Sequence, residues 1–571
     1  MKRITLWAFV ITCFVVTSCD DFLNQKPQGF VSGDDLNTPE NLEKMVVSTY
    51  ALLGSDQWPF VASLWPQGSV RSDDAYKGGD GPNDQAEMHA YEVFALNRID
   101  NPHIDVTWFR FYVNISRAND ALRRLNEADE ATFELKKVRQ AEMRFLRGHF
   151  YFNLKILFKY MPYIDEIVPK EQYSTISNDV YSNDELWDKV ADDFRFAAEN
   201  LPEEQSEPGR ANKYAAKAYL AKTLLFQAYQ QNEQNEVTSI DRTKLEEVVT
   251  LCSELEGIYT LHSDFARNFL EEYENGTESI FAIQYSKDDA TPLGRIDWSH
   301  KLNYPMNPEF GCCGFHAPSQ NLVNAFKTDA NGLPLFETFN NEDVQAGTDD
   351  FQTLTFDPRL DHTVAIPGHP YKYSNYTFAN AWVRSPQIYG YYMSLKETVA
   401  PDNASFQKAP PFMSSSKNWD ILRYDEVLLW RAEALIELGR QDEALPLINA
   451  LRKRAAESTA LLEYEDNTTF SHYHIDEYKP GTNCTWTQEF ARQALRWESR
   501  LELAMEEDRF FYLVRWGIAA ETLNAYFDTE GEKASFLKDA AFTAGRDEYL
   551  PVPLAQMNLS RNLYKQNNGW E

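Results

Sequence analysis

Cysteine is scarce in this chain, which has six cysteines among 571 residues. When Cys13 and Cys19 near the N-terminus are set aside, the remaining ones are Cys252, Cys312, Cys313 and Cys484. Four cysteines in a chain of this length do not make a disulfide framework, and no Cys-x-x-Cys spacing indicates a zinc site. The sequence therefore excludes a small disulfide-stabilised scaffold.

The common catalytic motifs are also absent from the sequence. It has no Gly-x-Ser-x-Gly, no phosphate-binding loop and no His-Glu-x-x-His. His472 and His474 with Asp476 have a spacing that a metal could use, but a surface loop is the simpler interpretation. A glycosidase needs two carboxylates on one bond, and among 87 Asp and Glu residues no such pair can be singled out. Nothing in these motifs favours an enzyme or a cofactor.

Positive charge is in short supply. The chain has 55 Lys and Arg against 87 Asp and Glu, which gives a formal net charge of -32. Loss of Lys2 and Arg3 with the N-terminal segment discussed next lowers this to -34. A strongly acidic surface repels phosphate backbones, so we expect no nucleic-acid partner.

Only the N-terminus carries a long apolar run. After Lys2 and Arg3, residues 4–16 are apolar, which is the length of a signal-peptide core and less than the roughly 20 residues that span a bilayer. The run ends in Val-Thr-Ser-Cys, which resembles a bacterial lipobox. We predict a signal peptide at residues 1–18 and a lipid anchor on Cys19. The alternative is an ordinary secretory signal with a chance cysteine.

The rest of the chain divides by its periodicity. Residues 19–37 have the composition of a polar tether. In residues 38–274 and 417–571, apolar residues recur at 3.6-residue spacing, which predicts helices that come in pairs with short connectors. Such pairs are typical of helical-hairpin repeats of the tetratricopeptide kind. Helices are expected from Thr38-Pro39, at 183–201, 212–230, 243–256, 420–438, 441–455, 487–507 and 509–525.

Residues 275–416 have a different character. Helical periodicity disappears, Gly, Pro, Asn and Tyr increase, and residues 279–285 (SIFAIQY) read as a strand. Long irregular segments in compact domains are usually functional or disordered, and the aromatic density argues against disorder. The predicted fold class is therefore mainly α, with an irregular, loop-rich insert containing short strands laid over a helical-hairpin scaffold. We expect the C-terminal end of residues 417–571 to form a cap on the second part of the scaffold.

Several long segments, in the right order, resemble the SusD/RagB family of nutrient-binding lipoproteins. They are DDFL after Cys19, VRQAEMRFLRGHFYFNLKILFKYMPYI (138–164), NWDILRYDEVLLWRAEALIELG (418–439), ALPLINALRKRA (444–455), WESRLELAMEEDRFFYLVRWG (497–517) and the ending DEYLPVPLAQMNLSRNLYKQNNGWE (547–571). Ser499, Tyr512 and Val514 depart from the commoner family residues. We expect the Arg and Glu residues of these helices to pair with one another as scaffold.

The resemblance implies a function. It implies a lipid-anchored protein on the outer membrane, facing the cell exterior, that binds an oligosaccharide and passes it to a SusC-like TonB-dependent transporter without catalysis. A helical scaffold used for protein contacts, a binder of another nutrient such as a peptide, and a lipid-anchored carbohydrate-active enzyme remain as alternatives.

The first candidate binding feature is Gly-Cys-Cys-Gly-Phe at residues 311–315. Neighbouring Cα atoms are about 3.8 Å apart, below the usual disulfide range of about 4.4–6.8 Å, and flanking glycines permit the unusual backbone that a bond between neighbours needs. Since an exported protein meets an oxidising environment, we favour a disulfide between Cys312 and Cys313. Together with Phe315 it would offer a flat apolar patch to a sugar.

The second candidate feature is Val-Arg-Ser-Asp-Asp-Ala-Tyr followed by KGGDGPND (77–84). Carboxylates accept hydrogen bonds from neighbouring sugar hydroxyls, so Asp73 and Asp74 with Tyr76 and Trp65 form a candidate polar and aromatic site. Two alternatives remain for this segment. Asp80 and Asp84 in its glycine-rich part could bind calcium, or the segment is simply a solvated loop.

The third candidate feature is AWVRSPQIYGYYM (381–393). Arg384 can donate hydrogen bonds to sugar oxygens, and aromatic rings nearby offer faces. At alternating spacing, Tyr389 and Tyr391 would share one side of a strand. A few aromatic faces with a few fixed polar groups are what small-ligand sites generally contain.

Overall fold

The computed structural model describes residues 37–54, 63–307 and 309–570. The predicted signal peptide, the predicted lipid anchor at Cys19 and nearly all of the tether lie outside the described residues. None of the helices within the described ranges is long and apolar enough to cross a membrane.

Helices dominate the described chain, as the periodicity predicts. They are α1 (Pro39–Tyr50), α2 (Trp65–Gly68), α3 (Ala86–Val93), α4 (Pro102–Glu127), α5 (Lys136–Phe158), α6 (Asn183–Asn200), α7 (Lys213–Ala228), α8 (Arg242–Ser253), α9 (Gln320–Ala325), α10 (Asp350–Thr353), α11 (Arg359–Thr363), α12 (Pro386–Tyr389), α13 (Tyr424–Glu437), α14 (Gln441–Glu457), α15 (Gln488–Glu502), α16 (Arg509–Arg515), α17 (Ala519–Glu530) and α18 (Leu554–Leu559). Several begin at residues whose side chains cap the helix: Thr38 accepts from the backbone of Asn41, and Ser182 and Glu185 form a reciprocal capping box.

The long helices stack in sequence. α1 packs on α4, α4 on α5, α5 on α6, α6 on α7 and α7 on α8. After α8 the chain enters the irregular region. The next long helix, α13, packs directly against α8, and α14 and α15 pack against α13. The alanines at 215, 216, 218 and 221 are fully buried in α7, where small side chains permit close approach. The predicted mainly α, helical-hairpin scaffold is confirmed.

The strands are short and pair in twos. They are β1 (Ala75–Gly78), β2 (Tyr229–Gln231), β3 (Val237–Ile240), β4 (Ser279–Ile283), β5 (Phe315–Pro318), β6 (Val364–Ala365), β7 (Met393–Ser394), β8 (Phe406–Ala409), β9 (Phe412–Ser415) and β10 (Trp419–Arg423). All pairs are antiparallel: β1 with β5, β2 with β3, β4 with β10, β6 with β7 and β8 with β9. Most of these strands lie between α8 and α13. That region combines short strands and irregular segments with the short helices α9 to α12, whereas no helices were expected there.

Three predicted helices differ from the structure. The helix expected at 487–507 ends at Glu502, and Met505 and Glu507 beyond it have positive φ. The helix expected at 420–438 begins at Tyr424, because residues 419–423 form β10 and pair with β4. The helix expected at 509–525 is two helices, α16 and α17. Gly517 lies between them with φ of +71°, a left-handed conformation that ends a helix and favours glycine.

The arginines and acids of the scaffold helices pair with one another, as expected, but deep inside the protein. Arg515 contacts Glu433 at 2.6 Å, and Arg452 contacts Glu498 at 3.2 Å, with all four side chains nearly inaccessible. The departures from the family pattern fit this core, because Val514 is buried and Tyr512 accepts a hydrogen bond from Trp430. These charges therefore belong to the scaffold.

Candidate functional site

Strands β1 and β5 bring two of the three predicted binding segments together. In their antiparallel register Tyr76 lies opposite Ala317 and Gly78 opposite Phe315. The backbone N–H of Gly79 continues the pairing by donating to the carbonyl of Gly314 at 2.7 Å. The glycine-rich loop at 78–84 is thereby fixed beside the Gly-Cys-Cys-Gly turn.

A disulfide joins Cys312 and Cys313, as the sequence predicts. Cys313 is buried, Cys312 is partly exposed and Gly311 is exposed. Gly311 and Gly314 have φ of +90° and +74°, the left-handed conformations that flanking glycines adopt without a side-chain clash. The Cys312 side of the disulfide turn is therefore partly accessible. Its contact with a ligand stays a prediction.

Arg384 joins the third segment to the other two. Its Nη1 donates to Asp84 Oδ2 at 2.8 Å and to the carbonyl of Cys313 at 3.3 Å. Next to it, the hydroxyl of Ser385 donates to Asp80 Oδ1 at 2.9 Å. We call the surface formed by Asp80, Asp84, Gly311, Cys312 and Arg384 the disulfide face; the buried Ser385 holds Asp80 in it. Three segments far apart in sequence thus meet at one place.

Asp73 and Asp74 are not part of this face. Both are buried: Asp73 contacts Arg509 at 2.9 Å, and Asp74 contacts Arg500 at 2.8 Å. Burial alone would raise the pKa of Asp73, but the two guanidinium groups outweigh it and hold that pKa below its ordinary value. Burial raises the pKa of Asp74 despite Arg500. The expectation that these carboxylates meet a sugar is corrected, because they pair with arginines of the scaffold.

The aromatic side chains predicted beside them are buried as well. Trp65 is inaccessible, and its Nε1 donates to the carbonyl of Ser299. The Tyr76 hydroxyl donates to Glu530 at 2.7 Å, and only 5% of the residue is exposed. Phe315 is 2% exposed and lies below the disulfide turn. These three residues therefore support the disulfide face from inside and present no free ring to a ligand.

The prediction that Tyr389 and Tyr391 share one side of a strand is wrong. Residues 386–389 form helix α12, and Gly390 turns the chain with φ of +76° before strand β7 begins at Met393. Tyr389 is consequently buried, whereas Tyr391 is 40% exposed. Of these two tyrosines, Tyr391 is the one whose ring is accessible.

Lys77 closes the glycine-rich loop from below. Its side chain is fully buried, and its ammonium group donates to the carbonyls of Gly78 at 2.8 Å, Gly81 at 3.0 Å and Asp84 at 2.6 Å. Burial lowers the pKa of Lys77 to about 8, although Glu92 and Asp84 oppose the shift. The same ammonium lies over the ring of Phe315, 5.1 Å from its centre.

Two residues near the disulfide face, the accessible Met306 and the buried Ser385, were missed by the sequence reasoning. Met306 is 42% exposed, and its backbone N–H donates to the carbonyl of Trp382 at 2.8 Å, two residues before Arg384. Ser385 positions Asp80. The Ser-Pro dipeptide at 385–386 signals a turn and could have marked Ser385. Nothing in the sequence marks the exposure of Met306.

Cavities also occur elsewhere in the described chain. One of about 320 Å³ is lined by residues that include Tyr50, Arg210, Ile283 and Tyr285. Another of about 480 Å³ is lined by residues that include Lys159, Tyr160, Tyr181, Asn567 and Tyr549. None of the sequence-predicted site residues lines either one. Both have the size of small-molecule pockets, and they provide reference sites for the experiments below.

Comparison with protein families gives two matches that together cover most of the chain. Residues 277–570 match the family model described as "SusD family". Residues 21–225 match the model described as "Starch-binding associating with outer membrane".

Individual relatives agree with this result. The SusD-like protein P2 of Formosa agariphila is 23% identical over the whole of both chains. Among solved structures, a laminarin-binding SusD-like protein is 20% identical with a TM-score of 0.66 and covers 93% of this chain and 99% of its own. Surface glycan-binding protein A of Bacteroides thetaiotaomicron, in complex with laminarihexaose, is also 20% identical, with a TM-score of 0.63 over 93% of this chain and 100% of its own. These similarities show the same fold.

Proposed function

The chain belongs to the SusD family, and from that premise we propose that it is a cell-surface protein that binds an oligosaccharide at the disulfide face and passes it to a TonB-dependent outer-membrane transporter. The observation that carries the proposal is the convergence of Cys312, Arg384, Asp80 and Asp84 at one accessible surface.

The chemistry of the disulfide face suits a sugar. The Cys312 side of the disulfide is an apolar contact for the C–H side of a pyranose or furanose ring, and Arg384 donates while the two carboxylates accept hydrogen bonds from hydroxyls. All four groups are held by contacts within the protein, which limits the entropy lost on binding. Tyr391 and Met306 lie close in sequence to Arg384 and Cys312 and are also accessible.

The ligand class follows from charge and from the relatives. Two solved relatives are named for laminarin and laminarihexaose, which are neutral glucans. This chain has a net charge of -32, and the disulfide face has two carboxylates and one guanidinium. A neutral oligosaccharide is therefore favoured over a polyanionic one.

Isothermal titration of residues 20–571 against a panel of neutral oligosaccharides, starting with laminarihexaose, tests the site. We expect the tightest ligand to lose about ten-fold or more in affinity, about 1.4 kcal/mol, when Cys312 and Cys313 are both changed to Ala. Cys484→Ala is the matched control, since Cys484 is a free cysteine outside the disulfide face. Equal affinity of the double variant and the control would remove the disulfide face from the proposal.

Two alternative functions are separated by simple measurements. A carbohydrate-active enzyme would release shorter products from the bound glycan, which chromatography after long incubation detects; the proposal expects none. A scaffold for protein contacts, or a binder of peptides, would show no retardation on gels that contain glycans. Retardation by one glycan and not by others supports the proposal.

Membrane attachment is the remaining part of the proposal. The apolar run and the Val-Thr-Ser-Cys sequence support a lipid on Cys19, and the description of one matching family model includes association with the outer membrane. We expect the intact chain in the outer-membrane fraction, with palmitate incorporated, and a Cys19→Ser chain without palmitate. Incorporation of palmitate into both chains would contradict the assignment of Cys19.

A further inference from the structure

Lys77 makes an unusual set of contacts for a buried lysine. An ammonium group has three N–H donors, and those of Lys77 meet three backbone carbonyls, of Gly78, Gly81 and Asp84, at 2.6–3.0 Å. All three carbonyls belong to the loop of residues 78–84. The loop therefore curls around a positive charge supplied from the preceding strand.

This arrangement resembles a cation site. Backbone carbonyls and carboxylates of a glycine-rich loop are the ligands that bind calcium in many proteins. Here the carboxylate of Asp84 is held by Arg384 and by the backbone N–H of Asp80, and the carboxylate of Asp80 is held by Ser385. A metal ion in this position would have to displace a covalently tethered ammonium group and would lie close to the guanidinium of Arg384.

The same ammonium group is connected to the other two segments of the disulfide face. It lies 5.1 Å from the ring centre of Phe315, which follows the disulfide turn, and 5.5 Å from that of Tyr389, which follows Arg384. A desolvated cation is attracted to the faces of such rings. Glu92 fixes the strand itself, because its carboxylate accepts from the backbone N–H of Lys77 at 2.8 Å.

We infer that the ammonium group of Lys77 takes the place of a metal ion in the 78–84 loop and so positions Asp80 and Asp84 on the disulfide face. Lys77 is a positioning residue, because it reaches no surface itself. The inference rests on the proposed function only for the last step, in which the positioned carboxylates meet a sugar.

Amide hydrogen exchange of the 78–84 loop tests the role of Lys77 without a sugar. We expect exchange at Gly79 and Asp84 to become at least about ten-fold faster in Lys77→Met, which keeps most of the side-chain length and removes the charged donor group. Lys159→Met is the matched control, because Lys159 is also buried and also donates to a carbonyl, that of Asn232, outside the disulfide face. Unchanged loop exchange in Lys77→Met would overturn the inference.

Two further exchange experiments distinguish a charged group that takes the place of a metal ion from a side chain that only fills space in the loop. In Lys77→Ala, ethylammonium chloride should slow the loop exchange, whereas sodium chloride at the same ionic strength should not. In the unaltered chain, neither calcium nor EDTA should change the exchange rate of the 78–84 loop. Faster exchange of the unaltered chain in EDTA would show that a divalent ion holds the loop, and this experiment stands even if the variants fail to fold.

The affinity for the tightest oligosaccharide then connects the loop to binding. Faster loop exchange together with about ten-fold weaker binding in Lys77→Met supports both the inference and the proposed site. Faster exchange with unchanged affinity supports the role of Lys77 in the loop and contradicts the proposed site. The two conclusions can therefore fail separately.

Discussion

Asp425 and Glu502 are neighbouring buried carboxyls with opposite tendencies to ionise. Burial raises the pKa of Asp425 well above its ordinary value despite the nearby Arg423, and the charge of Glu502 adds to the increase. Burial also acts on Glu502, but Arg454, Arg359 and Arg423 outweigh it and lower its pKa. With Glu278, these oxygens lie within 4.8 Å of one another among the arginines. One proton shared within the cluster relieves the repulsion.

A pH dependence of stability follows from Asp425. A carboxyl whose pKa is raised by folding stabilises the protein at low pH, and this contribution is lost as pH rises from about 4, the value in the unfolded chain, through the raised value. Asp425→Asn should therefore have a free energy of unfolding that falls less between about pH 5.5 and about pH 8.5 than that of the parent. Urea unfolding at both pH values measures it.

Glu502→Gln serves as the comparison for Asp425→Asn. Because Glu502 is ionised and neutralises buried arginines, its loss should cost about 3–5 kcal/mol at neutral pH. Equal pH dependence of the Asp425→Asn chain and the parent would contradict the assignment of the proton to Asp425.

Arg384 and Arg500 show how similar residues have different roles. Arg384 and Asp84 are each about one quarter exposed, so their ion pair contributes only about 0–1 kcal/mol to stability. Arg500 is 3% exposed and holds Asp74. Arg384→Ala should weaken glycan binding about ten-fold with little change in stability, whereas Arg500→Ala should cost about 3–5 kcal/mol by leaving Asp74 unpaired.

Titration calorimetry measures the glycan affinity of both arginine variants, and urea unfolding measures their stability. A large loss of stability in Arg384→Ala, or unchanged binding, would contradict the role given to that residue.

The site was only partly predictable from single residues. The adjacent cysteines between glycines and the arginine at 384 were recognised because their chemistry is unusual for a scaffold. Asp73, Asp74, Trp65 and Tyr76 were misassigned, because their partners are distant in sequence: Ser299 lies 234 positions from Trp65, and Arg500 and Arg509 lie more than 400 positions from the two aspartates. Local sequence carries no information about such distant pairing. In a sequence, an aspartate that forms a buried ion pair cannot be distinguished from one that is exposed to a ligand.

Among elements, helices were predicted well and their ends less well. Capping residues and 3.6-residue periodicity are local, so α1 and α6 begin where the sequence indicates. The start of α13 depends on β10, whose partner β4 lies about 140 residues earlier. The apolar pattern of residues 419–423 fits helix and strand equally, and only the long-range pairing decides between them.

Gly517 separates α16 from α17 and provides a test at this scale. A Cβ atom there would meet Val237 at 3.1 Å and would need φ of +71°, whereas at Gly439, with φ of +77°, it would meet nothing within 4 Å. Gly439→Ala should therefore cost about 1 kcal/mol from backbone strain alone, and Gly517→Ala about 1 kcal/mol more. Thermal and urea unfolding of the two variants should show this difference, and equal costs would contradict the steric part.

In the whole molecule, the helical stack is continuous although the chain is interrupted. α8 packs against α13 although roughly 170 residues separate them in the chain. The insert is anchored in the scaffold core, since its Arg359 pairs with Glu498 and Glu502, and its exposed loops remain available for recognition. The disulfide face takes Cys312 and Arg384 from the insert, and Asp80 and Asp84 from the N-terminal part of the chain. The sequence indicated the scaffold and the insert separately. It could not indicate that a loop at 78–84 joins the insert.

A crystal structure of the chain with its tightest-binding oligosaccharide tests the central claim most directly. We predict a sugar ring resting on the accessible Cys312 side of the Cys312–Cys313 disulfide, with hydroxyls hydrogen-bonded to Arg384 and to Asp80 or Asp84. A sugar bound instead in the cavity beside Tyr50 and Tyr285, or in the one beside Tyr160 and Tyr181, with the disulfide face bare, would contradict it.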